Sequence, residues 1–167
     1  MTRKVAVLGL GTRGGDIATA FHKIGWAVSG FDPDQLAEGV PDLKRDWTRE
    51  STISGTVRGA DWVMICLPER LELMRKVIQR AQSEAPHDAV IAVVTHDFDI
   101  DAVQGCAHRP AQVLRVDQGE DGGYLIDVSS KTDPVAKSDA RRVLAQLAAQ
   151  EFVPKSRKVQ LPKAESA

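Results

Sequence analysis

Apolar residues run almost without interruption in six short stretches: KVAVLG (4–9), AVSGFD (27–32), DWVMICLP (61–68), DAVIAVVT (88–95), AQVLRVD (111–117) and YLIDVS (124–129). Runs of this length without polar alternation mark strands covered on both faces, as in a parallel sheet. Between them the period changes. Ile17, Ala20, Phe21 and Ile24 share one stripe of 16–25, and Leu71, Met74, Val77, Ile78 and Ala81 share one stripe of 70–82, the spacing of helices with one buried face. The segment 137–150, rich in alanine and leucine, predicts a third helix. Strand and helix alternate, which predicts an α/β fold with a doubly wound, mostly parallel sheet and right-handed crossovers. No internal repeat is visible. One domain is expected over 1–153, and 154–167 is expected as a short terminal strand at 158–161 followed by a polar tail.

Composition limits what such a domain can do. At 167 residues, 43% of them hydrophobic, the chain suits one domain with a substantial core and leaves no room for a second full one. Its 22 Lys and Arg nearly balance 23 Asp and Glu, and a formal charge of -1 creates no field that would gather nucleic acid or an anionic membrane. Neither is expected as a partner. The apolar run in MTRKVAVLGLG is too short and too glycine-rich for a signal peptide, and no later run reaches the length of a membrane span, so the expected location is cytoplasmic. Cys66 sits in an apolar run and Cys106 in a polar turn, without the spacing of a disulfide framework or a metal site. Both are expected as reduced thiols, Cys66 in the core. His22, His87 and His108 have no i, i+4 histidine partner, and no metal is expected. Trp26, Trp47 and Trp62 read as packing residues.

The first strand leads directly into Gly9, Leu10, Gly11, Thr12, Arg13 and Gly14. A G-x-G-x-x-G pattern is weak evidence alone, but here it follows a strand, opens a helix and is answered by Asp32 at the end of the next strand. Gly9 permits the tight turn, Gly11 lets a pyrophosphate approach the backbone, and Gly14 lets helix and strand pack closely. The backbone N–H groups of the helix start are placed to meet the anion, and Leu10 and Thr12 belong to the same candidate cofactor-binding turn. Asp32, 18 residues beyond Gly14, is placed to accept hydrogen bonds from an adenosine ribose and to repel a 2′-phosphate. A dinucleotide is the expected ligand, and NAD is expected over NADP. Arg13 either pairs with the pyrophosphate or sits in solvent.

GLGTRGGDIATAFHKIGWAVSGFDPD, GADWVMICLPERLELMRKVIQRA, PHDAVIAVV and HRPAQVLRV resemble, in order and spacing, the NAD-binding domain of the 3-hydroxyacyl-CoA dehydrogenase family. GWAVSGFDPD and PERLEL are most similar to its L-carnitine dehydrogenase branch. The resemblance covers residues 3–153. GLG, CLP and the short connection from Asp32 to Asp61 also resemble 3-hydroxyisobutyrate dehydrogenases, and HRPAQVLRV favours the first family. The resemblance implies a Rossmann-type single domain that binds NAD. It also implies oxidation of a small-molecule 3-hydroxy substrate, with hydride passing to NAD while a base takes the hydroxyl proton. Pro68 and Glu69 correspond to the place where family members approach the nicotinamide-side ribose. The alternative for them is a helix start with Glu69 in its first turn, where its charge suits the dipole.

The catalytic pattern departs from the family. There the base is a histidine in a His-x-Phe-Asn-Pro run just after the strand matching AQVLRV. Here RVDQGEDGG puts Asp117 in the histidine's place, Glu120 in the asparagine's and Asp121 in the proline's. The acid that orients the base corresponds to Asp127, and the Thr-Ser-x-Phe/Leu stretch, whose serine touches the substrate oxygen, corresponds to Thr95, His96, Asp97 and Phe98. His96 thus replaces the serine. Free aspartate titrates near about 3.9 and histidine near about 6.5, so a carboxylate is the weaker proton acceptor at neutral pH. A positioned histidine contributes roughly 10²- to 10⁴-fold, and its loss without replacement implies marginal dehydrogenase activity. His96, expected at the carboxyl end of a strand with Asp97 and Asp117 nearby, can supply acid/base chemistry instead. The alternative is that His96, Asp97, Asp99 and Asp101 form a polar turn and helix cap.

In the family a C-terminal helical domain covers the substrate and makes the dimer, and this sequence is expected to lack it. Three readings stay open. The first is an NAD(H)-binding protein with little or no dehydrogenase activity as an isolated chain. The second is a small NAD-dependent oxidoreductase whose site is completed by self-association or by a separate helical-domain partner, using His96 and neighbouring acids. The third is a non-catalytic interaction protein on a Rossmann scaffold.

Overall fold

A computed structural model describes residues 2–33, 47–119 and 123–150. The chain enters through β1 (Lys4–Leu8), α1 (Thr12–Lys23) and β2 (Ala27–Phe31), then resumes with β3 (Thr48–Arg49), α2 (Ile53–Val57) and β4 (Trp62–Ile65). It continues through α3 (Leu71–Glu84), β5 (Val90–Val94), α4 (Ile100–Gln104), a 3-10 turn at Pro110–Gln112, β6 (Val113–Gln118), β7 (Tyr124–Asp127) and α5 (Pro134–Gln150). The seven strands form one sheet in the order β3-β2-β1-β4-β5-β6-β7. β7 runs antiparallel to β6, and the other described pairings are parallel. The strand order reverses direction between β1 and β4, and the crevice at such a reversal is where open α/β sheets bind ligands. The architecture is the expected one: a Rossmann-type, doubly wound, mostly parallel sheet in a single α/β domain.

Burial of both faces explains the unbroken apolar runs. Val5 and Val7 point into a core with Ile17 and Phe21 of α1 and Leu144 and Leu147 of α5, while Ala6 and Leu8 point into a second core with Val57, Met74 and Ile78. All five residues of β5 are buried, so no polar alternation is tolerated there. Phe21, Trp26 and Trp62 pack at ring-centroid distances of 4.9 to 6.2 Å, and Trp47 packs against the same core. The tryptophans are packing residues, as expected. Across this aromatic cluster Asp139 of α5 accepts from both guanidinium nitrogens of Arg3 (3.0 and 2.8 Å) and from the indole N–H of Trp62 (2.9 Å). One carboxylate therefore ties α5 to Arg3, just before β1, and to Trp62 of β4.

Boundaries shift for physical reasons. Helix α1 begins at Thr12 rather than at 16, because Gly14 and Gly15 in its first turn mask its helical character in the sequence. The short helices α2 and α4, and the two-residue β3, have too few residues for a period to show. Their caps are what define them: Thr52 Oγ1 accepts from the Gly55 N–H and Asp99 Oδ1 from the Ala102 N–H. The terminal strand expected at 158–161, the tail from 154, the domain end at 153, Glu120 and Asp121 lie outside the described residues.

Candidate functional site

The turn between β1 and α1 is built from glycines with different reasons to be there. Gly9 has φ +103, and a β-carbon on it would lie 2.3 Å from the Cys66 carbonyl oxygen. A β-carbon on Gly14 would lie 1.8 Å from the Gly9 carbonyl oxygen. Both are required by the fold itself. Gly11 is not: its backbone is ordinary extended chain (φ -68, ψ -163), and a β-carbon there would meet nothing within 4 Å among the described residues. The space over Gly11 opens onto the start of α1, whose N-cap residue supplies no side-chain hydrogen bond to the first amides. Uncapped amides at a helix start form a site for an anion.

That space is the head of a cleft of about 900 Å³ between the ends of β1, β2 and β4. Its floor is the glycine turn. Asp32 and Pro33 form the β2 side, and Cys66, Leu67 and Pro68 the β4 side. Asp32 is held in place by the Leu10 N–H, which donates to Oδ2 at 2.7 Å, so the carboxylate is fixed relative to the turn it faces. Arg13 lines the cleft, donating to the Leu67 carbonyl at 3.2 Å and standing 3.9 Å from Glu69 Oε2. Arg70, Ile53, Leu73 and Val77 also line it, and none of them is a site candidate in the sequence, where Val77 reads only as part of a buried helical stripe. A second cation beside the turn and an apolar wall are legible only when α2 and α3 are placed against β4. Cys66 is a core thiol as expected, and burial pushes it up to about 12, with the Arg13 charge pulling weakly the other way.

Glu69 does something the sequence did not suggest. It precedes α3, whose first residue is Leu71, so it is not in the helix's first turn. Its carboxylate instead reaches the β5–α4 loop, accepting from Thr95 Oγ1, from the His96 N–H at 3.0 Å and from the Asp97 N–H. Partial burial alone would raise this acid. The three hydrogen bonds and the Arg13 charge outweigh it and hold Glu69 below the ordinary glutamate range.

Beyond that loop the structure gathers the other candidates at the carboxyl ends of β5 and β6. His96 Nδ1 lies 3.0 Å from Asp117 Oδ2. Arg115, two residues before Asp117 on the same strand face, stands 3.4 Å from Asp117 and 3.4 Å from Asp127, its partner across the β6–β7 ladder. Of the two acids expected near His96, Asp117 reaches the ring, while Asp97 gives its N–H to Glu69. Asp99 caps α4 and Asp101 lies in its first turn, so the helix-cap reading describes these two acids. Among the described residues no group of three His, Cys, Asp or Glu could hold a metal ion, and no helix is long and apolar enough to cross a membrane.

No family model matches the chain. It is similar to L-carnitine dehydrogenase/betainyl-CoA thioesterase of Ruegeria pomeroyi, 30% identical over 128 residues, which is 65% of this chain and 26% of that protein. L-carnitine dehydrogenase of Streptomyces coelicolor is 28% identical over 133 residues, 67% of this chain and 41% of that one. The chain therefore spans well under half the length of these curated relatives. Among solved structures, a 3-hydroxyacyl-CoA dehydrogenase from Archaeoglobus fulgidus superposes with a TM-score of 0.75 at 22% identity, covering 87% of this chain and 54% of that one. The similarity is thus to L-carnitine dehydrogenases in sequence and to a 3-hydroxyacyl-CoA dehydrogenase in fold.

Proposed function

We propose that this chain, similar in sequence to L-carnitine dehydrogenases and in fold to 3-hydroxyacyl-CoA dehydrogenases, is an NAD(H)-binding domain with little dehydrogenase activity of its own on their substrates. The observation that carries the reading is Gly11. Its missing side chain serves no contact among the described residues, and leaves the bare approach to helix amides that a pyrophosphate needs. The other residues fit the same ligand. Arg13 and Arg70 bring positive charge to the cleft, Ile53, Leu73 and Val77 give it an apolar wall, and Asp32 stands at the end of β2 where a ribose would lie. Bound NAD would supply the hydride acceptor. The chain's residues would bind it, orient it and disfavour the 2′-phosphate of NADP through the Asp32 charge. Low activity on those substrates follows from the replacement of the family's histidine base by Asp117, which leaves proton transfer to a group at another position. The proposed domain runs over 1–153 and works in the cytoplasm. Equilibrium titration with NADH and NADPH tests the reading: NADH is expected to bind more tightly, and Asp32→Ala to shrink the difference. Equal affinities with Asp32 intact would defeat it.

A further inference from the structure

Outside the cleft, the strongest unassigned constellation is the one around His96. We propose that His96 is a proton acceptor for a secondary alcohol oxidised beside the bound nicotinamide, with Asp117 as the residue that positions it; this rests on the NAD(H) reading above. Asp117 stands where the resemblance puts the base, and in this structure it aims a base supplied from the β5–α4 loop.

The geometry is specific to that role. A carboxylate only accepts, so the 3.0 Å contact with Asp117 places the proton of the neutral ring on Nδ1 and leaves the lone pair of Nε2 pointing away. The His96 side chain is 79% exposed while Asp117 is 18% exposed, so the receptive edge faces the outside and the orienting acid sits behind it. Asp117 is itself held by Arg115, which also reaches Asp127 and donates to the His96 carbonyl at 3.3 Å. On the other side Glu69 fixes the His96 backbone N–H and lies 3.9 Å from Arg13 on the wall of the cleft. A single carboxylate therefore spans from the nucleotide cleft to the loop that carries the imidazole. Among the described residues Asp117 touches the ring, Arg115 holds Asp117 and the His96 carbonyl, Asp127 pairs with Arg115, and Glu69, beside Arg13, holds the His96 N–H. In the reaction the alcohol's O–H proton passes to Nε2 while its C–H bond breaks and delivers hydride to NAD. The C–O bond becomes a carbonyl, and the imidazolium returns its proton to water.

The test follows the full chain by NMR as NAD is added. The amides of Gly9 to Gly14 and the His96 imidazole are both expected to shift, His96 by more than His87 or His108. The ring nitrogens of the free protein are expected to report the Nδ1–H tautomer. Asp117→Ala, in a protein whose other amide signals are unchanged, should abolish that tautomer preference, and Asp117→Glu should restore it. Glycine amides that shift while His96 stays silent would overturn the proposal and leave the dinucleotide site standing. Silence at both would overturn the two together. An unchanged tautomer in folded Asp117→Ala would remove Asp117 from its role.

Discussion

At the scale of single residues, three glycines of one motif answer to two different pressures. Gly9 and Gly14 are demanded by backbone atoms that would lie 2.3 and 1.8 Å from a β-carbon, and Gly11 by nothing among the described residues. Gly9→Ala should therefore cost stability, because φ +103 and the Cys66 carbonyl both oppose a side chain. Gly11→Val should leave the melting temperature nearly unchanged and sharply weaken NADH binding. Thermal melts and NADH titration of the two variants check this, and a folded Gly11→Val protein with undiminished NADH affinity would point to the interaction-protein reading. The motif was legible in the sequence because its spacing is set by local geometry: turn, helix start, and a carboxylate at the end of the next strand. Arg70 and the apolar wall were not legible, since they come to the cleft only through tertiary packing of α2 and α3. The contact between His96 and Asp117 joins residues 21 positions apart, one in the loop after β5 and one on β6. It is set by the parallel register of β5 and β6, which pairs Val94 with Val116 and which sequence spacing does not reveal.

At the scale of elements, two carboxylates act as fasteners. Glu69 holds the β5–α4 loop through three donors, so Glu69→Ala leaves the Thr95, His96 and Asp97 donors without their acceptor. Faster amide hydrogen exchange is expected at His96 and Asp97, with the protection of β1 and β5 unchanged; equal protection in the variant would show that the loop holds itself. Asp139 fastens α5. Burial alone would raise this acid, but hydrogen bonds from Arg3 and Trp62 and the charges of Arg3 and Arg142 hold it below the ordinary aspartate range. A carboxylate lowered in the folded state gives stability that is complete above its unfolded pKa, near about 3.9, and is lost as pH falls through the lower folded value. Asp139→Ala should thus destabilise the protein at pH 7 by about 1–3 kcal/mol, mainly because the buried indole N–H of Trp62 loses its acceptor. The difference from wild type should narrow below pH 4 in denaturant melts. A difference that stays constant into acid would assign the effect to packing rather than to charge.

At the scale of the whole molecule, the sheet was readable because strands buried on both faces leave continuous apolar runs, and helices on both sides leave a changed period between them. The same logic hides β3 and α2, which cover too little surface to impose a pattern. Function is less readable because the chain keeps the complete nucleotide turn while the histidine base's position is held by Asp117. Catalysis requires a base at hydrogen-bond reach and a substrate held against the reacting carbon. The cleft described here is formed by the nucleotide turn and its walls. Turnover of L-carnitine or a 3-hydroxyacyl-CoA by this chain is therefore expected far below the usual range of about 1 to 10³ per second. Asp117→His alone should not restore it: the change adds an imidazole at 117 but takes from Arg115 and His96 the carboxylate both now contact. Steady-state assays of wild type and Asp117→His with both substrates decide the matter. Ordinary turnover by the wild-type chain, abolished by His96→Gln, would show that the dyad is sufficient for the relatives' chemistry and that the chain works as an enzyme by itself.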